Sequence, residues 1–172
     1  MKHNIFDGIL DVINQQEKKI RDSREENRKL REEIKSLSKN AELKKYGDLG
    51  SVYKFHDELS KKGNQEMMSK ACEEGLWEKK TNVYGSNVLH YACEEGNLRL
   101  VKSLIECNCN KETKNNDGFT PLIYASKEGH LAVVQYLISV GANKDAKNKY
   151  GRTPLSFSEG KVRDYLISIG AK

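Results

Sequence analysis

The sequence predicts an all-α protein in which short, stacked helix pairs follow one long N-terminal helix. Glycines recur 33 residues apart, at Gly85, Gly118 and Gly151, and similar turn and apolar residues follow each of them. A period of this length is typical of a solenoid built from repeated helical units. Residues 1–45 differ, because their apolar residues recur every seven positions and neither glycine nor proline occurs after Gly8.

The repeated unit has the features of two helices joined by a turn. Thr120 suits an N-cap, and Pro121 suits the first helical position, where its missing N–H costs nothing. Gly129 can end the first helix because it readily adopts a left-handed conformation. The apolar residues of the second helix share one face, at Leu131, Val134, Leu137 and Ile138. One such pair cannot bury its apolar face, whereas stacked copies can.

Motifs at fixed offsets in this unit resemble a known family. Phe119-Thr120-Pro121-Leu122 follows Gly118, and Gly129-His130-Leu131 and the pair Leu137-Ile138 come later in the unit. These motifs resemble the ankyrin repeat over roughly residues 66–172. The resemblance implies a solenoid of helix–turn–helix units with short β-hairpin tips, and a protein-binding role rather than a catalytic one.

We expect three parts along the chain. They are a coiled-coil helix at 1–45, a hinge and packing helix at 46–65, and an ankyrin-repeat domain at 66–172. The last part is expected to contain an irregular start at 66–81, full repeats at 82–114 and 115–147, and a shortened C-terminal repeat at 148–172. The shortened repeat lacks four residues when Gly160 is aligned with Gly129. Leu76 and Trp77 should close the N-terminal end of the stack.

With Phe6 at heptad position a, the N-terminal helix carries an apolar seam. The expected pairing residues are Ile13, Ile20, Asn27, Leu30, Ile34 and Leu37. β-Branched residues at position a favour two parallel strands, and Asn27 at position a is typical of an in-register pair. The seam therefore predicts a parallel homodimer. Gln16 and Ser23 at position d weaken self-pairing, which leaves a heterotypic docking helix as the alternative.

The ankyrin resemblance also implies where a partner protein binds. Arrays of this family usually bind through the tips and through the exposed face of the first helix in each unit. The candidate tip residues are Tyr84, Ser86, Asn116, Asp117, Phe119, Lys149, Tyr150 and Arg152. The candidate residues on the helix-one face are Glu94, Glu95, Lys127 and Glu128. Tyr84, Phe119 and Tyr150 are the expected anchors, since aromatic residues dominate interface energetics. The alternative is that their rings pack along the stack.

No motif indicates catalysis, a cofactor or a metal site. The resemblance places His90 as a hydrogen-bond bridge to the next repeat and His130 in the turn between two helices. Only one residue separates Cys107 from Cys109, whereas zinc sites prefer wider pairs and need further ligands. We expect the cysteines to be small buried hydrophobic residues. The phosphate-binding glycine loop of nucleotide hydrolases is also missing.

The charge distribution and the lack of long apolar segments indicate which classes of partner to expect. The net charge of +5 is spread along the chain, and glutamates interrupt the basic residues of 18–35, so we expect no nucleic-acid partner. We also expect neither a membrane span nor a signal peptide nor a small-molecule ligand. The sequence predicts a cytoplasmic scaffold or adaptor that binds another protein, with a nuclear location also open. The alternative is a regulatory or targeting subunit that docks onto a larger enzyme or receptor assembly through a heterotypic coiled coil.

Overall fold

The computed structural model describes residues 3–43, 49–78 and 83–172. Every regular element in these ranges is a helix, which confirms the predicted all-α class. The chain divides into two compact units, Met1–Ser36 and Leu37–Lys172. None of the described helices has the length and apolar character that crossing a membrane requires.

One long helix, α1 (His3–Leu43), contains all the described residues of the first unit. Arg28 forms ion pairs with Glu25 (2.7 Å) and Glu32 (2.8 Å) one turn away on either side. With Phe6 at position a, these three residues occupy positions b and f, which lie away from the a/d seam. The helix agrees with the sequence prediction. Its pairing with another helix stays a prediction.

The expected pairing residues all lie on α1. Ile13 and Ile20 are 47% and 52% exposed, and Ile9 at position d is 52% exposed. At these three positions the apolar side chains of the seam are available in the single chain. Asn27 and Leu30 follow on the same helix and are half-buried. Ile34 is only 2% exposed, so its side chain is not available for pairing in the single chain. The side chain of Leu37 lies outside the described residues.

After the last residues of α1, the second unit contains helices that precede the repeats. They are α2 (Leu49–Lys62), α3 (Gln65–Glu73) and a 3₁₀ turn (Leu76–Glu78). Val52, Phe55 and Leu59 of α2 are buried, because this helix packs against α3 and against the helices of the first repeat. Leu76 and Trp77 are buried as well, because their apolar side chains cover the N-terminal side of the first repeat.

Three helix pairs follow, one for each repeat. They are α4 (Val88–Glu94) with α5 (Leu98–Glu106), α6 (Pro121–Lys127) with α7 (Leu131–Ser139), and α8 (Pro154–Phe157) with α9 (Gly160–Ser168). Asn87 caps α4, and Thr120 caps α6 by accepting a hydrogen bond from the Ile123 amide. Equivalent leucines of the second helices are fully buried, at Leu104, Leu137 and Leu166. Local caps therefore start the helices, and the leucines form the core between them.

The last repeat is shortened only before its second helix. The first helix has four residues where α6 has seven, whereas α9 has nine residues, as α7 has. Gly160 begins α9 and does not end the first helix, so its alignment with Gly129 is wrong. The second helix keeps its length because Val162 and Leu166 are buried and α9 contacts α7.

Tight turns form the tips of the repeats. The Asn115 amide donates to the Phe119 carbonyl (3.1 Å), and the Asn148 amide donates to the Arg152 carbonyl (3.0 Å). The described residues include no β-strand at these positions. The tips expected as short β-hairpins are therefore turns closed by a few hydrogen bonds.

Candidate partner-binding surface

A buried asparagine organises each of the two completely described tips. Asn115 Oδ1 accepts hydrogen bonds from the amides of Asp117 (3.0 Å) and Phe119 (2.9 Å). Asn148 Oδ1 does the same for Tyr150 and Arg152, both at 2.9 Å. These bonds hold the tip backbone in one conformation.

Sequence reasoning missed these asparagines as residues that shape the site. The available signal was their recurrence at the glycine period, because Asn82, Asn115 and Asn148 are spaced 33 residues apart. Asn82 lies outside the described residues. Asn115 and Asn148 are buried, since their side chains bond to the turn backbone and do not face solvent.

Hydrogen bonds join successive tips into one surface. The Asn116 amide donates to the Tyr84 carbonyl (2.8 Å), and the Lys149 amide donates to the Asp117 carbonyl (2.9 Å). Gly118 permits this approach, because it has a positive φ of 79° and a Cβ there would lie only 2.9 Å from Lys149 N. We call the resulting surface the tip ridge, which consists of Val83, Tyr84, Asn116, Asp117, Lys149, Tyr150 and Arg152.

Most of the predicted tip residues are available on the tip ridge. Tyr84 is 58% exposed and Tyr150 is 71% exposed. Asn116, Lys149 and Arg152 are also exposed, whereas Asp117 is half-buried. The ridge therefore presents two tyrosine rings among polar and charged side chains.

Ser86 was predicted as a contact residue, and the structure contradicts this prediction. Its side chain is buried, and Ser86 Oγ shares a hydrogen bond of 3.1 Å with the Tyr124 hydroxyl. Asn115 Nδ2 donates to the same Tyr124 oxygen at 3.1 Å. The Ser86 hydroxyl thus joins the first repeat to the second and does not face a partner.

Phe119 is not the exposed anchor that the sequence suggested. Its ring is half-buried, with centroid distances of 5.6 Å to Tyr124 and 5.2 Å to Phe157. These distances are typical of packed aromatic pairs. Phe119 therefore packs along the stack, which was the alternative interpretation, because its neighbours on both sides are aromatic.

The helix-one face is predominantly acidic. Glu95, Lys127 and Glu128 are exposed, and Glu94 is half-buried. Lys127 Nζ forms an ion pair with Glu128 Oε1 at 2.6 Å. Partial burial, together with the nearby Glu128 charge, raises the pKa of Glu94. The carboxylates of this face therefore repel one another in the free protein.

Both histidines of the repeats have structural roles. His90 Nε2 donates to the carbonyl oxygens of Thr113 (3.2 Å) and Phe119 (3.1 Å), which confirms the predicted bridge to the next repeat. His130 Nε2 donates to the Glu94 carbonyl at 2.8 Å. Both rings thus satisfy backbone groups where two repeats meet.

The four cysteines are free thiols. Cys72, Cys93 and Cys109 are buried as expected, but Cys107 is only half-buried, so the expectation is wrong for that residue. Cys107 ends α5 as its C-cap, and a cap position is less enclosed than the helix core. Within the described residues, no group of three or more His, Cys, Asp or Glu side chains could hold a metal ion.

A scan against models of protein families matches residues 89–171 to the model described as ankyrin repeats, with three copies. The matched segment covers the three helix pairs apart from Val88, and it includes the tip ridge from Asn116 onward. Tyr84 and helices α1 to α3 precede it. A search of curated proteins found no match.

Proposed function

Residues 89–171 of this chain belong to the ankyrin-repeat family, whose repeats are generally protein–protein interaction modules, and we propose that the chain is a scaffold or adaptor that binds a partner protein. Proteins of the ankyrin-repeat family are typically not catalytic. The expectations that this chain lacks enzymatic activity and is cytoplasmic stay predictions.

The observation that best supports this proposal is the pair of exposed tyrosines, Tyr84 and Tyr150, on the hydrogen-bonded tip ridge. Tyrosine gives a large contact area and a polar group with few rotatable bonds, so it is common at interface hot spots. The backbone of the ridge is already fixed by Asn115 and Asn148. Preorganisation reduces the entropy lost on binding.

The helix-one face supports a more specific proposal about the partner. Glu94, Glu95 and Glu128 carry negative charge, and only Lys127 offsets it in this set. A lysine or arginine of the partner would relieve the repulsion that contributes to the raised Glu94 pKa. We therefore expect the partner to present basic side chains beside an apolar or aromatic contact.

The test compares proteins captured by the wild-type chain and by a Tyr84→Ala/Tyr150→Ala double variant. We expect at least one protein to bind the wild type and to be lost with the double variant. Its affinity, measured by calorimetry with purified components, should fall at least about tenfold. Glu95→Lys should weaken the same interaction by like-charge repulsion.

The matched control is Ile167→Ala on α9. Ile167 is 54% exposed, so the variant removes exposed apolar surface of a similar kind outside the tip ridge. This control should bind as the wild type does. If every captured protein binds the double variant and the wild type equally, the tip ridge is not the binding surface.

We propose that the chain also self-associates through α1. Ile9, Ile13 and Ile20 are about half-exposed at positions a and d, and burying them against a second copy would remove apolar surface from water. The ion pairs of Arg28 occupy the outer positions b and f. A dimer would carry two ankyrin arrays and would gain avidity for a multivalent target.

A second candidate is a regulatory or targeting subunit whose α1 pairs with a different protein. The polar residues Gln16 and Ser23 at position d favour it, because they weaken the core of a homotypic pair. In this case the chain alone would be monomeric, and the assembly would form only with the partner helix.

A further inference from the structure

Three cysteines and a histidine come together where the N-terminal helices meet the first repeat. Cys72 lies on α3, Cys107 ends α5, and Cys109 follows it. The Cys109 thiol donates to Cys72 Sγ across 3.7 Å. Cys107 Sγ lies 3.8 Å from Ser69 Oγ on α3, and His56 on α2 interacts electrostatically with Cys72.

Packing alone does not require cysteines at this place. The Cys109 amide donates to the Leu104 carbonyl (3.1 Å), and in the next repeat the Ala142 amide donates to the Leu137 carbonyl (2.9 Å). Ala142 is buried, as Cys109 is. The same turn thus forms with a methyl group, so the Cys109 sulfur is additional to what the fold needs.

We propose that Cys72 and Cys109 are a reversible modification site, at which hydrogen peroxide drives formation of a disulfide that joins α3 to the end of α5. The two sulfurs already lie 3.7 Å apart. The sulfur–sulfur bond of a disulfide is about 2.05 Å long. The two sulfurs therefore need to approach each other by less than about 2 Å for the bond to form. The segment after α5 is a turn, which can accommodate such a shift.

The surroundings of Cys72 favour its thiolate, which is the reactive form. The hydrogen bond from the Cys109 thiol lowers the pKa of Cys72 well below its usual range despite burial, and His56 contributes in the same direction. The same contact and burial raise the pKa of Cys109. The two pKa shifts have opposite directions, which favours Cys72 as the nucleophile and Cys109 as the resolving thiol.

His56 has a free nitrogen in the interior. Its Nδ1 lies 2.8 Å from the Val52 carbonyl oxygen, and because a carbonyl only accepts, Nδ1 carries the hydrogen. Nε2 is buried and has no hydrogen-bond partner among the residues that the structure describes. In the neutral ring Nε2 holds a lone pair, so it can accept a hydrogen bond from a neighbouring thiol.

The reaction balances with one peroxide molecule. The Cys72 thiol loses its proton as its sulfur attacks one peroxide oxygen, the O–O bond breaks, and the leaving hydroxide takes that proton to become water. Cys109 sulfur then attacks the sulfenic sulfur of Cys72, the S–S bond forms, and the S–O bond breaks. The second hydroxide takes the Cys109 proton and leaves as water. Two thiols are oxidised, and peroxide is reduced to two water molecules.

The test uses the reduced full-length chain, exposed to hydrogen peroxide and then alkylated with iodoacetamide. Peptide mass spectrometry should find Cys72 linked to Cys109, with Cys93 and Cys107 alkylated. The bond closes a 37-residue separation, so the midpoint of thermal unfolding should rise and should return after treatment with dithiothreitol.

Two variants test whether the cross-link forms specifically between Cys72 and Cys109. Cys109→Ala copies the residue of the next repeat, so it should fold normally by circular dichroism and should form no cross-link. Cys93→Ser should cross-link as the wild type does, because the buried Cys93 lies on α4 and not on α3 or at the end of α5. A pairing of Cys107 with either neighbour, or peroxide treatment that leaves all four thiols unlinked, would overturn the proposal.

Discussion

His90 joins two repeats through one side chain. Its Nε2 donates to two carbonyl oxygens of the following tip, and its Nδ1 accepts a hydrogen bond of 3.2 Å from the Asn87 amide. The next repeats have Ile123 and Ser156 at this position. The histidine bridge therefore belongs to the first repeat boundary, where the ring satisfies backbone groups that would otherwise be buried without partners.

Replacing His90 should weaken this boundary. We expect His90→Ala to lower the free energy of unfolding by about 1–3 kcal/mol, because Thr113 and Phe119 lose a buried donor. Urea denaturation followed by circular dichroism measures the change. The control is Lys161→Ala, at an exposed position on α9, which should leave the unfolding midpoint unchanged. If His90→Ala also unfolded at the midpoint of the wild type, the bridging role of His90 would be contradicted.

The resemblance to ankyrin repeats was enough to predict the role of His90, but the sequence alone misplaced other residues. Ser86 and Phe119 follow a turn and look exposed on the tip. In the structure, Ser86 meets Tyr124, and Phe119 meets Phe157. These contacts join residues 38 positions apart in both cases, and no local pattern reports such a pairing.

At the scale of elements, α2 is attached to the first repeat by Asp57. This carboxylate accepts hydrogen bonds from Asn97 Nδ2 (2.8 Å) and Arg99 Nη2 (3.0 Å), and it forms an ion pair with Lys61 Nζ (2.8 Å). Burial opposes ionisation, but these partners lower the pKa of Asp57 below its ordinary value. Helical periodicity predicted α2, whereas this attachment depends on a residue 40 positions away.

The lowered pKa leads to a pH-dependent prediction. A carboxyl group whose folded pKa is depressed stabilises the protein above its unfolded pKa, and this stabilisation is lost as pH falls through the folded pKa. At neutral pH, Asp57→Asn should therefore lower the free energy of unfolding by about 1 kcal/mol. At a pH of about 3 or below, the difference from the wild type should shrink.

Urea unfolding at the two pH values provides the measurement for Asp57. Glu58→Gln is the matched control, because Glu58 is exposed beside the same lysine and should have little effect. The two proteins could also differ in their free energy of unfolding by the same amount at acidic pH as at neutral pH. That result would mean that the charge of Asp57 does not stabilise α2.

At the scale of the whole molecule, the proposed dimer determines how many ankyrin arrays meet a target. The heptad seam predicts dimers in light scattering at micromolar concentrations. Ile13→Lys/Ile20→Lys should give monomers, because two charges would enter the seam. Asn27→Val should give a mixture of oligomers, since a polar residue at position a specifies the number of strands.

The control for the dimer is Asp11→Lys/Asp22→Lys. It adds the same two lysines to α1 at positions f and c, outside the seam, so dimers should persist. A monomeric wild type at every accessible concentration would reject self-association and would favour the heterotypic docking helix.

The amino-acid sequence by itself determined the repeat period, the helix pairs and most of their boundaries. These features depend on interactions within a few residues, such as the Thr120 cap on Ile123 and the apolar spacing of Leu131 and Leu137. The tertiary structure was needed to show which tip residues face outward, how Asp57 holds α2, and that Cys72 meets Cys109. Those features depend on contacts between residues far apart in the chain, which arise only when the helices stack.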